Sequence, residues 1–153
     1  MSPAACKVDY TIKTANETLP LVKMIVSDIV EIAGDVSETR QRLSYLTLGR
    51  QESPADEYSR ELSSIQQLTD EKSDRLNGFI DELLDLNIDP TQAEQGYIDF
   101  PARREDKEVC LCWRLGEPQV MYWHHADEDC NRRRLVDLPL VQQSVRRQYS
   151  NPA

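Results

Sequence analysis

The chain has no long apolar run and few of the residues that mark common active sites. No stretch of about 18 consecutive apolar residues occurs, so no membrane-spanning helix and no membrane partner are expected. The first residues lack the basic start and apolar core of a secretory signal peptide. Four cysteines in a chain without an export signal are expected to be reduced thiols. These features together predict a cytoplasmic location.

Glycine and histidine are both scarce, and each scarcity excludes a type of site. The five glycines are isolated from one another, so the sequence contains no glycine-rich loop for a phosphate. The two histidines, His124 and His125, lie outside the predicted helices. A di-iron site in a helical bundle needs Glu-x-x-His motifs facing inward, and it is therefore excluded.

Positive charge is scarce in the first part of the chain. Residues 1–95 contain nine Lys or Arg and eighteen Asp or Glu, whereas residues 96–153 contain nine of each class. A protein that binds phosphate backbones needs a positive surface, so nucleic acid is not an expected partner.

Apolar residues recur at three- and four-residue spacing through the first half, which predicts two long antiparallel helices. The first is expected over about 19–48, after a short helical turn that Thr11 caps, because proline is favoured in a first helical turn and Pro20 is present. The second is expected over about 54–87, with Thr69 and Lys72 as interruptions of its apolar stripe. The stripes are Val22, Ile25, Ile29, Ile32, Val36, Leu43 and Leu46 in the first helix, and Tyr58, Leu62, Ile65, Leu68, Leu76, Phe79, Leu83 and Leu86 in the second.

From Gly96 to His125 the period changes to two, which predicts a three-stranded antiparallel meander. The expected register places Trp113 opposite Ile98, Cys112 opposite Asp99, and Leu111 opposite Trp123. The fold class is therefore predicted as α+β, in one domain. Its parts are a helical hairpin over 1–95, a sheet packed on that hairpin over 96–125, and an irregular polar tail over 126–153 with a possible short helix at 144–149.

Four segments resemble a bacterial family catalogued as domain of unknown function 2203. They are YTIKTANETLPLV at 10–22, DFPAR at 99–103, VCLCWRLGE at 109–117 and YWH at 122–124. The resemblance extends over about residues 10–125 and implies a bacterial protein with a long helical pair before the sheet. It implies no activity. The family tends to continue through a glycine-rich turn, which residues 126–130 (ADEDC) replace in this chain.

The polar face of the predicted sheet contains the candidate binding residues, which are Arg103, Arg114, Glu117, Tyr122 and His124. Together they could hold a small anion or a carboxylate. The more common interpretation of such a set is a network of surface salt bridges that fixes the hairpins.

The same face contains two alternative chemical sites. Asp99, Cys112 and His124 share it across three strands, and could act as orienter, nucleophile and base of a thiol enzyme. Zinc is the other alternative, with Cys110, Cys112 and His124 as the main candidate ligands and with His125 and Cys130 as further donors. Cys-x-Cys along a strand is a poor zinc knuckle, and cysteines more commonly act as small buried apolar residues.

The sequence therefore favours a non-catalytic binding or interaction protein without a cofactor. Its long acidic helices suit contacts with a protein partner, and a homodimer formed through the helices is expected. A thiol-dependent enzyme or a metal-binding protein centred on Cys112 and His124 is the alternative.

Overall fold

The computed structural model describes residues 9–47 and 57–136. Two long helices, α1 (Ile12–Thr47) and α2 (Glu57–Asp85), precede an antiparallel sheet, which confirms the predicted α+β class. The sheet has four strands, not the predicted three, because a short strand beyond residue 126 pairs with the third. The strands are β1 (Tyr97–Arg104), β2 (Lys107–Arg114), β3 (Tyr122–His125) and β4 (Arg134–Leu135), in that spatial order.

The helix α1 begins where Thr11 caps it, since the Thr14 backbone N–H donates to the Thr11 hydroxyl oxygen at 3.1 Å. It then continues through Pro20, so the prediction of a separate turn followed by a helix from residue 19 is wrong. Ile12 and Leu19, before the proline, are both buried in the core. Their burial offsets the cost of about 3 kcal/mol that proline imposes inside a helix.

The apolar stripe of α1 is buried as predicted from Val22 to Val36. On α2, Leu76 and Leu83 are buried, but Leu68 is 44% exposed and Thr69 takes the buried position instead. The Thr69 hydroxyl can be buried there because it donates to the Ile65 carbonyl oxygen at 2.7 Å. Within 9–47 and 57–136, no helix has the length and apolar character needed to cross a membrane.

The helix α2 ends at Asp85, two residues before its predicted end. Asn87 has a φ of 63°, the left-handed conformation that commonly follows a helix C-terminus. A short 3₁₀ helix, Ala93–Gln95, then leads into β1. The predicted loop after residue 48, the predicted start of the second helix at residue 54 and the predicted short helix at 144–149 lie outside the described residues.

The sheet register matches the prediction pair by pair. Asp99 lies opposite Cys112, and Leu111 lies opposite Trp123. The β1–β2 turn is formed by Glu105 and Asp106, whose φ values of 53° and 65° are typical of a type I′ hairpin turn.

One face of the sheet shares a hydrophobic core with the helices. Six of its side chains are buried in the same core cluster as the α1 stripe, namely Ile98, Phe100, Val109, Leu111, Trp113 and Trp123. The Asn16 side chain fixes α1 to the loop before β3. Its amide oxygen accepts from the Val120 backbone N–H at 2.7 Å, and its amide nitrogen donates to the Val120 carbonyl at 3.2 Å.

The opposite face of the sheet is not the open polar surface that the sequence predicts. Cys112 is 0% and His124 is 1% exposed, because residues 126–136 fold back beside them. That segment forms a 3₁₀ helix, Cys130–Arg132, and then β4, so the described part of the predicted irregular tail contains regular structure.

Candidate metal centre

Four side chains of metal-binding type converge on the covered face of the sheet. Asp99 comes from β1, Cys112 from β2, His124 from β3 and Cys130 from the following 3₁₀ helix. One ligand atom from each lies within 4.8 Å of all the others. Four separate segments therefore supply one cluster of an oxygen, a nitrogen and two sulfurs.

The antiparallel register explains three of the four positions. Directly opposite residues in such a sheet project to the same face, so Asp99 and Cys112 are neighbours. His124 lies opposite Cys110 and therefore projects to that face as well. Its Nε2 atom lies 3.0 Å from Asp99 Oδ1, so the side chains of the two flanking strands meet across β2.

The fourth position depends on a tight return of the chain after β3. Glu128 accepts a hydrogen bond from the His125 backbone N–H at 2.9 Å, and Asp129 caps the 3₁₀ helix by accepting from the Asn131 N–H at 3.0 Å. These two carboxylates fix the loop that contains Cys130. The sulfur of Cys130 is consequently 3.3 Å from that of Cys112 and 4.0 Å from Asp99 Oδ1.

The ring of His124 lies between two oxygen atoms. Its Nδ1 is 2.8 Å from the His125 carbonyl oxygen, while its Nε2 is directed at Asp99. Burial lowers the pKa of His124, but the hydrogen bonds to Asp99 and to the His125 carbonyl outweigh that effect and raise it overall. With a metal, Nδ1–H donation to the carbonyl leaves Nε2 as the ligand atom, as in most metal-bound histidines.

The thiols are buried and resist ionisation in the metal-free protein. Burial raises the pKa of Cys112 and of Cys130, and it raises the pKa of Cys110 to about 12. Asp99 adds to the effect at all three sulfurs. A metal ion reverses this preference, because a coordinated thiol loses its proton.

A half-buried ion pair supports the cluster from one side. Arg133 Nη1 lies 4.0 Å from the Cys112 sulfur and 3.0 Å from Glu117 Oε1, and its Nη2 bonds to the other oxygen of Glu117. The guanidinium also stacks 4.1 Å from the ring centre of Tyr122. This arrangement holds a positive charge beside a sulfur that becomes negative when it binds a metal.

The separations in the cluster suit a tetrahedral metal ion. Zinc binds thiolate at about 2.3 Å and imidazole or carboxylate at about 2.0–2.2 Å, so tetrahedral ligand atoms lie about 3.3–3.8 Å apart. Three of the observed separations lie within or close to that range. The two sulfurs are 3.3 Å apart, His124 Nε2 is 3.0 Å from Asp99 Oδ1, and the Cys130 sulfur is 4.0 Å from Asp99 Oδ1. All six separations lie within 4.8 Å, so shifts of up to about one ångström would complete the tetrahedron.

The structure brings together all three candidates for the thiol-enzyme alternative, Asp99, Cys112 and His124. Of the candidate zinc ligands, Cys112 and His124 lie in the cluster, whereas Cys110 lies on the same strand as Cys112 but outside the cluster. Asp99 and Cys130 complete the set instead. The adjacent His125 also lies outside it, because neighbouring residues of a strand project to opposite faces.

The predicted binding residues do not form one site. Arg103 pairs with Asp9 at 3.2 Å and lies opposite Glu108, near the turn of the first hairpin. Arg114 lies opposite Tyr97, at the other end of that hairpin. Of the remaining three, Glu117 bonds to Arg133, Tyr122 stacks on it, and His124 is buried in the cluster.

Cys130 of the cluster and Arg133 beside it lie outside the main candidate sets, and both fall in the segment that the sequence predicts as a polar tail. Cys130 is named only as a further zinc donor, and one more signal indicates it, since it is the only apolar or thiol residue between Ala126 and Leu135. A single cysteine in a polar segment six residues after His124 is compatible with a return to the same site. Arg133 has no such signal, because it is one of three consecutive arginines.

Comparison with known proteins identifies the family. The family model described as "Uncharacterized conserved protein (DUF2203)" matches residues 9–136, which include both helices, the whole sheet and all four residues of the cluster. No curated protein and no solved structure matches the chain. The chain therefore belongs to the DUF2203 family of uncharacterised conserved proteins.

Proposed function

We propose that the protein binds one divalent transition-metal ion, preferentially zinc, through Asp99, Cys112, His124 and Cys130. The observation that supports this most strongly is the convergence of four ligand atoms from four chain segments within 4.8 Å. Three of the four residues are buried, at 0–8% exposure. Buried groups of this kind, brought together from distant parts of a sequence, are typical of metal sites rather than of solvated surface networks.

The ligand types favour zinc over the harder metals. Two thiolates and an imidazole are soft or borderline ligands, whereas magnesium and calcium prefer sites made of oxygen atoms. The hydrogen bond from Nδ1 to the His125 carbonyl adds independent support, because it orients the ring with Nε2 toward the other three ligands. The predicted role as a non-catalytic binding protein is compatible with this proposal, with a metal ion as the bound species.

The thiol-enzyme alternative receives less support. A nucleophilic cysteine needs a lowered pKa and access to its substrate. Cys112 has the opposite properties, since its burial raises the thiol pKa and leaves none of its surface exposed. The ring of His124 is directed at Asp99 and at a carbonyl oxygen, so it is not positioned as a free base toward the thiol.

A zinc-binding assay with matched cysteine variants tests the proposal. The protein is titrated with zinc in competition with a chromophoric chelator, and native mass spectrometry reports the stoichiometry. We expect one zinc ion per chain, and an affinity at least a hundredfold lower in Cys112→Ser and in Cys130→Ser. Cys110→Ser is the matched control, because this thiol lies two residues along the same strand but outside the cluster. Absence of stoichiometric zinc, or an equal loss in Cys110→Ser, contradicts the proposal.

We further propose that the helices mediate association with a protein partner or with a second copy of the chain. Exposed apolar side chains on α1 support this, since Leu21 is 48% and Met24 is 67% exposed. The two residues are three positions apart and therefore lie on one side of the helix. Sedimentation velocity of the wild type and of Met24→Glu tests self-association. A dimer that dissociates in the variant agrees with the proposal, and a monomeric wild type rules out the homodimer.

A further inference from the structure

Asp99 differs from the other three members of the cluster in its exposure. Its side chain is 17% exposed, whereas His124 is 1% and Cys112 is 0% exposed. Asp99 and Cys130 also line a cavity of about 170 Å³, and neither Cys112 nor His124 does. The cluster is therefore closed on the side of β2 and β3 and open on the side of Asp99.

The charge of the complete cluster also makes Asp99 the most easily displaced ligand. Zinc with two thiolates and a neutral imidazole has no net charge, and coordination by a third anion makes the centre negative. A net charge in a largely buried site is unfavourable unless it is compensated. Arg133, 4.0 Å from the Cys112 sulfur, offsets this charge only in part, because its guanidinium is also paired with Glu117. Exchange of Asp99 for a neutral ligand leaves the metal and its ligands without net charge, and the displaced carboxylate keeps its own charge on the open side of the site, where its side chain is 17% exposed.

We infer that the metal has one exchangeable coordination position, which Asp99 occupies in the resting state and which a small neutral nitrogen donor from the cavity can take. This inference rests on the proposed metal site. The exchange breaks one metal–carboxylate bond and forms one metal–nitrogen bond, and it involves no electron transfer. Catalytic zinc sites have three firm protein ligands and a fourth position for water or substrate, whereas structural sites are closed by four protein ligands. The inferred centre resembles the catalytic type once Asp99 has been displaced, because three firm protein ligands then remain.

The cavity walls determine the charge of the molecule that can enter. Asp89, Glu128 and Asp129 line the cavity beside Asp99 and give it a negative potential. Glu128 is neutralised in part by Arg134, at 3.2 Å. The Asp89 carboxylate accepts from both the backbone N–H and the hydroxyl of Thr91, at 2.9 and 2.6 Å, so it remains in the wall. Such a cavity favours neutral or cationic molecules over anions, which points to an amine or azole group as the ligand.

Cobalt(II) makes the exchange visible, because its visible absorption bands change when a ligand changes. The cobalt-loaded full chain is titrated with imidazole and, separately, with azide, and the thiolate-to-cobalt charge-transfer band reports whether the metal stays bound. We expect imidazole to shift the visible bands in a saturable way without loss of the charge-transfer band. Azide is expected to bind at least tenfold more weakly. In Asp99→Asn, cobalt should still bind and the affinity for imidazole should increase at least tenfold, because the competing carboxylate is gone.

Each failure has a distinct meaning. If no thiolate–cobalt band forms, the proposed metal site itself fails, and this inference fails with it. If cobalt binds but imidazole leaves the spectrum unchanged in both proteins, the site is closed and only the exchange is refuted. Loss of cobalt in Asp99→Asn likewise refutes the exchange, because it makes Asp99 an indispensable ligand. Azide binding as tight as that of imidazole refutes the assignment of ligand class. The variant Asp89→Asn keeps the turn with Thr91. It should increase the affinity of the centre for azide and leave the affinity for imidazole unchanged.

Discussion

Metal binding by the individual residues of the centre depends on their protonation, as His124 shows. Its two ring nitrogens face the His125 carbonyl and Asp99, and these hydrogen bonds raise the pKa of the ring. A metal ion at Nε2 must replace the contact with Asp99 Oδ1 and any proton on that nitrogen. It must also replace the thiol protons of Cys112 and Cys130, whose pKa values are raised by burial.

Zinc affinity is therefore expected to increase with pH. Both thiols are protonated in the metal-free protein at neutral pH and both are deprotonated in the complex, so binding releases two thiol protons. Each released proton changes the apparent dissociation constant by about tenfold per pH unit, so the two thiols alone predict about a hundredfold tighter binding per unit, and the slope is steeper below the raised pKa of His124. Chelator competition between pH 6 and pH 8 measures this slope. Cys110→Ser should keep the full slope, and an affinity independent of pH would contradict thiolate coordination.

Arg133 is expected to strengthen metal binding without touching the metal. Its guanidinium lies 4.0 Å from the Cys112 sulfur and favours the thiolate form. Removal of such a supporting group typically weakens metal affinity by about 10–100-fold. The double variant Arg133→Gln, Glu117→Gln leaves no unpaired charge in the site and should show a loss of this size in zinc titrations. Arg114→Gln, which changes an exposed arginine of β2, is the control, and equal affinities in all three proteins would refute the role.

At the scale of elements, α1 contains one local defect that its packing tolerates. Pro20 interrupts the hydrogen-bond ladder of a helix of 36 residues. The side chain is exposed, so its replacement leaves the core unchanged. Pro20→Ala should therefore increase the free energy of unfolding by about 1–3 kcal/mol. Urea denaturation measures the change, with the exposed Ser27→Ala of the same helix as the reference. A lower stability of Pro20→Ala would show that the proline fixes a conformation that α1 needs.

The sequence predicts the elements better than it predicts their ends. The stripe that includes Ile25 and Ile29 repeats at the helical period and is buried as expected. The alternation around Trp113 determines the sheet register, because a slip of one residue would expose the whole apolar face. The predicted start of α1 is wrong because the local preference of proline for a first turn is overridden by the burial of Ile12 and Leu19, which depends on tertiary contacts.

The sequence predicts only those residues of the candidate site that the pairing of the strands brings together. Asp99, Cys112 and His124 follow from the pairing of three strands. Cys130 does not, because its position depends on the loop that Glu128 and Asp129 fix by hydrogen bonds to backbone N–H groups. No periodic pattern in the sequence predicts that this loop brings Cys130 back to the sheet. The sequence favours Cys110 over Cys130 as a ligand because Cys110 lies two residues from Cys112 on the same predicted strand face.

In the whole molecule, the hydrophobic core and the candidate metal centre lie on opposite faces of one sheet. The core cluster combines α1, α2 and the apolar face of the sheet, and it does not include Cys112, His124 or Cys130. A bound metal would therefore cross-link β1, β2, β3 and the following loop on the face of the sheet that the helices do not cover. Folding of the helical hairpin is not expected to require it.

Zinc is accordingly expected to stabilise a protein that is already folded. At a free zinc concentration of about a thousand times the dissociation constant, binding adds about 4 kcal/mol to the free energy of unfolding. Thermal unfolding followed by circular dichroism should show a higher midpoint with zinc and an unchanged helical spectrum with chelator. Cys130→Ser should lose the zinc-dependent increase, and Cys110→Ser should keep it. Complete unfolding in chelator would contradict the separation of core and centre.

The most direct test of the central proposal is X-ray absorption at the zinc edge of the zinc-loaded protein. Two sulfur atoms at about 2.3 Å and two nitrogen or oxygen atoms at about 2.0–2.2 Å are expected around the metal. In Cys130→Ser, the number of sulfur neighbours should fall to one, while Cys110→Ser should keep both. A zinc environment made only of nitrogen and oxygen atoms, or one that keeps two sulfurs in Cys130→Ser, would contradict the assignment of Asp99, Cys112, His124 and Cys130 as the metal ligands.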